Sequence, residues 1–68
     1  MTASPMEMIR KLDEAAAALR ELAQQVRRVA PSVADLDLRR EMLESADGME
    51  RRADNMAEAI QSWRREIN

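Results

Sequence analysis

Residues 42–67 read MLESADGMERRADNMAEAIQSWRREI, and their spacing decides the fold. Apolar side chains stand at Met42, Ala46, Met49, Ala53, Met56, Ile60, Trp63 and Ile67. The steps alternate between four and three residues without a break, which is a heptad seam. Written abcdefg, the a positions are Ala46, Ala53, Ile60 and Ile67, and the d positions are Met42, Met49, Met56 and Trp63. Such a stretch predicts a long helix that packs lengthwise against another helix. It does not describe a catalytic centre.

The segment before it carries a heptad of its own. Ile9, Ala16, Ala23 and Ala30 fall at a, and Leu12, Leu19, Val26 and Val33 at d. The g positions are apolar as well: Met8, Ala15, Leu22 and Val29. Three apolar rows make a wider stripe than one neighbouring helix covers. Ser4 before Pro5, with Glu7 three residues on, has the spacing of a capping box, so this helix is expected to begin near Pro5. Residues 1–4 are expected to be loose.

Between the two heptads lies Val29-Ala-Pro-Ser-Val-Ala-Asp35. Pro31 removes a helical donor and disfavours helical geometry at Ala30. Val33 and Met42 are both d positions but stand nine residues apart, so the seam loses phase here. A phase reset at a Pro and a Ser predicts a turn rather than one kinked rod. Ser32 with Asp35 can cap a second helix at Val33, and Asp35 or Asp37 are later candidates, so this helix is expected to start at about Val33 or Leu36. The expectation is an all-α, two-helix antiparallel hairpin, with helices near residues 5–30 and 33–67 and a turn near 30–35. Helix 2 is expected to overhang the start of helix 1. Gly48, at a c position, reads as a tolerated surface glycine.

Composition narrows the function classes. The 68 residues make one domain or less, with a core that is marginal alone. Cys and His are absent, which excludes a disulfide staple and argues against a transition-metal site. Regular packing and oligomerisation remain as sources of stability. The apolar runs are too short to cross a membrane, and the first eight residues lack the order of a secretion signal. A cytoplasmic location is the default expectation. The net charge is −2, split as +1 over residues 1–34 and −3 over 35–68.

Four Arg pairs, at 27–28, 39–40, 51–52 and 64–65, invite a nucleic-acid reading. Glu44, Asp47, Asp54 and Glu58 lie among them, however, and phosphate binding needs uncompensated positive charge. Asp47 to Arg51 and Glu7 to Lys11 have the spacing of i, i+4 pairs. The pattern reads as a solvated, mixed-charge face. The carboxylates lack the His partner of a di-iron bundle, and Ser4, Ser32, Ser45 and Ser62 lack a plausible base. No catalytic, cofactor or metal residues are assigned. The d-row Met42, Met49 and Met56 suit either a gap-filling core or an adaptable groove for a partner helix. Trp63 is the one aromatic residue, suited to plug the core or to anchor a partner.

Three families supply points of resemblance. A two-helix hairpin of this size resembles in plan the repressor-of-primer family, which pairs into four-helix dimers and binds plasmid RNA; no RNA-contacting motif is shared. Leu12-Asp13-Glu14, followed by Leu19 and Leu22, is similar to the first helix of the helical chorismate mutases, with Ala23 where that family implies an inward Arg. The Ala-Pro-Ser turn is similar to that of type III secretion needle subunits, which match this chain in length and plan, as do their co-chaperones.

The expected function is a small non-enzymatic interaction module that self-associates, most simply into a four-helix bundle, or binds a helical partner. Leu22, Val29, Met42, Met49, Met56, Ile60 and Trp63 are the expected interface. A nucleic-acid regulator of the hairpin-dimer type and a mutase-type enzyme are the alternatives.

Overall fold

A computed structural model describes residues 4–67. Two antiparallel helices form a hairpin: α1, Pro5–Val29, and α2, Leu36–Ile67, joined through a single 3₁₀ turn at Ala30–Ser32. The molecule measures 50 × 21 × 16 Å. The expectation about residues 1–3 and the side chain of Ile67 lie outside the described residues.

Ser4 caps α1 as its sequence predicts. Its backbone is extended, Pro5 takes the first helical position, and its hydroxyl accepts from the Glu7 N–H at 3.2 Å. The turn departs from expectation in detail. Pro31 tightens the end of α1 into the 3₁₀ turn, which the Val33 N–H closes on the Ala30 carbonyl at 3.0 Å. Val33 is extended, so no helix starts there. Asp35, not Ser32, caps α2: its carboxylate accepts from the N–H groups of Asp37 and Leu38 at 3.0 and 3.1 Å. A carboxylate at this place also suits the positive end of the helix dipole. Arg39 then reaches back, and its guanidinium donates twice to the Val33 carbonyl, at 3.1 and 2.7 Å.

The two heptads meet along their a rows. Ile9, Ala16, Ala23, Ala30, Ala46, Ala53 and Ile60 are the buried hydrophobic residues, and no polar side chain is buried among the described residues. Five methyls and two larger aliphatic groups form a thin core. Alanine at successive a positions of both helices lets the backbones approach closely.

Ion pairs between the helices fix the register. Asp13 meets Arg64, Arg20 meets Asp54, and Arg27 meets Asp47 and Glu50. Ala30 therefore stands level with Ala46, Ala23 with Ala53 and Ala16 with Ile60. This register corrects the expected overhang. At the open end α1 continues eight residues beyond Asp13, to Pro5, whereas α2 continues only three beyond Arg64. The extra length of α2 lies at the turn end, where its first turns run past Val29 and pack on the 3₁₀ turn.

Candidate functional site

On a helical wheel the a row is flanked on one side by e and b, and on the other by d and g. In this antiparallel hairpin the e and b side of α1 faces the e and b side of α2. The two d and g sides likewise fall together, on the opposite face of the molecule. The two faces have different chemistry.

The e and b face carries the ion pairs between the helices, with Met6, Leu36 and Leu43 as apolar residues in its e rows. Arg64 Nη2 lies 2.5 Å from Asp13, and Arg20 Nη2 lies 3.0 Å from Asp54. Arg27 is the hub: its Nη2 lies 2.6 Å from Asp47, and its Nε donates to Glu50 at 2.8 Å. Hydrogen bonds to Asp47, then Glu50, hold the Arg27 guanidinium above its ordinary range, so it stays charged throughout the usable pH range. Asp47 thus turns across the hairpin to Arg27 instead of along α2 to Arg51, and neither expected i, i+4 pair forms. These exposed pairs set register and flank the seam; each contributes little to stability.

The d and g face is apolar and open. Leu12, Leu19, Val26 and Val33 line it from the α1 side, and Met42, Met49 and Met56 from the α2 side; all seven are half-buried. Each has one flank on the alanine seam and the other in solvent. Beyond them the outer row of α1 exposes Met8, Leu22 at 44% and Val29 at 53%. Leu38 extends the face at the turn end.

Trp63 ends the face at the other extreme. It keeps 42% of its surface exposed and so does not close the core. With Pro5, Met8, Ile9 and Glu66 it lines an open cleft of about 260 Å³.

Of the seven residues expected to form an interface, Leu22, Val29, Met42, Met49, Met56 and Trp63 share this face. Ile60 does not, because it is buried against the α1 seam within the chain. Sequence reading passed over Leu38, whose g position in the second heptad places it beside Met42, and the seam-flanking d residues of α1.

Other chemistry has little to build on. Among the described residues no three His, Cys, Asp or Glu side chains come together as a metal site. No described helix is long and apolar enough to cross a membrane. Ala23, at the place where the mutase resemblance implies an inward Arg, is fully enclosed at 0% exposure. Comparison with protein-family models, with curated proteins and with solved structures returned no match.

Proposed function

We propose that this chain is a non-enzymatic helical interaction module, working through its d and g face by self-association or by binding a helical partner. One observation carries the reading: the d rows of both helices and the g row of α1 line one open apolar face, while the ion pairs between the helices lie on the opposite face. Half-buried Leu, Val and Met rows on two parallel ridges form a shallow trough, the shape into which an apolar helix stripe packs. The contiguity of the patch matters more than its hydrophobicity, since single exposed apolar residues are ordinary on any surface. Three methionines along one wall let the trough adjust to its occupant.

Neither alternative gains an observation. Arg20, Arg27 and Arg64 are committed to carboxylates of the same chain, which lowers the positive charge left for phosphate. A mutase-type site would need charged groups turned inward, and the seam between the helices is alanine and isoleucine.

The test is site-specific photo-crosslinking in the source cell. A photoreactive residue at Leu22 or Met49 is expected to give discrete adducts, and one at Glu44 or Arg51, on the outer surface of α2, none. Equal labelling at all four positions, or adducts at none, would overturn the proposal.

A further inference from the structure

We infer that the open face is covered by a second copy of this chain, stacked face to face with its turn at the opposite end, so that the two α1 helices lie antiparallel. The inference rests on the interaction-module reading and names the partner.

The first argument is area. The chain exposes 5419 Å². A compact monomer of 7.8 kDa exposes about 4,400 Å² by the usual scaling of surface with mass. The excess, about 1,000 Å², is close to the roughly 800 Å² that each partner gives up in a stable interface of standard size. The hairpin's length and width, 50 by 21 Å, leave room for a contact of that size along one face. A second hairpin offers a trough of the same length and two ridges to match.

The second argument is the difference between the two edges of the face. The α1 edge is the apolar row Met8, Ala15, Leu22 and Val29, whereas the α2 edge, which begins with Leu38 at the turn end, carries the charges of Arg52 and Glu66. If both copies had their turns at the same end, α1 of one would lie along α2 of the other. Leu22 would then fall beside Arg52 and Met8 beside Glu66, and charges would be desolvated against apolar side chains at a cost. With the turns at opposite ends, like edges meet. The two apolar rows close on each other, and the two α2 rows share the other edge, where Arg52 and Glu66 stay open to water.

The chain has no cysteine, so a single introduced one carries a spin label cleanly. Ser32→Cys places it at the exposed turn, and Ala34→Cys provides a second position there. Sedimentation of the unmodified chain at micromolar concentration is expected to give twice the 7.8 kDa mass. Electron–electron distance measurement is expected to separate the two labels by about the length of the hairpin, 50 Å. Labels within about 20 Å, two helix diameters, would overturn the arrangement by placing both turns at one end. A folded chain sedimenting at its own mass would overturn the second copy. The Leu22 cross-link separates this failure from failure of the parent reading. An adduct of twice the chain mass supports the second copy, one of any other mass overturns it while sparing the interaction module, and no adduct overturns both.

Discussion

Gly48 gives the sharpest single perturbation, because its replacement has a sign that depends on what surrounds it. It lies inside α2, twelve residues from the first helical position, where glycine costs about 1 kcal/mol relative to alanine. Its backbone φ is not positive, so an L side chain introduces no strain. A Cβ built at this position meets nothing within 4 Å. Gly48→Ala therefore gains helix propensity without a packing penalty, and the gain is about 0.8–1 kcal/mol per chain. For a domain of this size that corresponds to a rise in melting temperature of about 4–8 °C. Far-UV circular dichroism melts of both proteins at one fixed chain concentration read the effect; the concentration is matched because association itself shifts the midpoint. The c row lies outside the open face, so covering that face should leave the gain intact. An unchanged or lowered midpoint would refute the reasoning, since it would mean that another backbone comes close to Gly48 and that the covered surface reaches beyond the g row.

Substitutions at three further positions test the hairpin itself, each read by urea denaturation with helix content as the signal. Asp35→Ala removes both side-chain bonds to the first turn of α2 and should cost about 1 kcal/mol; no loss would move the cap elsewhere in the turn. Arg39→Met keeps the stem but deletes the two donors to the Val33 carbonyl, for an expected loss of about 1 kcal/mol, and Arg39→Lys should recover only part of it because the paired geometry needs a guanidinium. Ala23→Leu would bury three more carbons, worth about 2.4 kcal/mol if room existed. Ala23 is enclosed level with Ala53, so the helices must part instead and the net result should be a loss of about 1–3 kcal/mol; a stabilised variant would show that the seam is looser than the buried alanines indicate.

Local patterns made the hairpin legible, and chain-distant pairings hid the rest. Heptad spacing on both sides of Pro31, and the nine-residue offset between Val33 and Met42, are local signals that survive folding. The Ser4 cap is local too. Residues 51 apart in sequence form the Asp13–Arg64 pair, and no short-range rule brings them together. An i, i+4 rule instead assigns Asp47 to Arg51, because it sees only one helix at a time. The start of α2 was ambiguous for a related reason: Ser32, Asp35 and Asp37 all suit a cap, and the choice falls to Asp35 once the 3₁₀ turn has consumed Ser32.

The open face follows from a detail that heptad lettering conceals. Treated as equals, a and d describe a symmetric seam, with the pair of helices closing over both rows. The residues at these positions are not equal: the buried a row holds five alanines and two isoleucines, whereas the d rows hold Leu, Val, Met and Trp. Two helices approach most closely where their side chains are smallest, so the a rows become the line of contact and the d rows are displaced to one side of it. Displacement in an antiparallel pair carries both d rows to the same side. The larger side chains, which have the most surface to remove from water, are then the ones the hairpin covers least. A small a row beside a large d row is thus a sequence signature of a two-helix layer with one open apolar face, and the apolar g row of α1 widens that face.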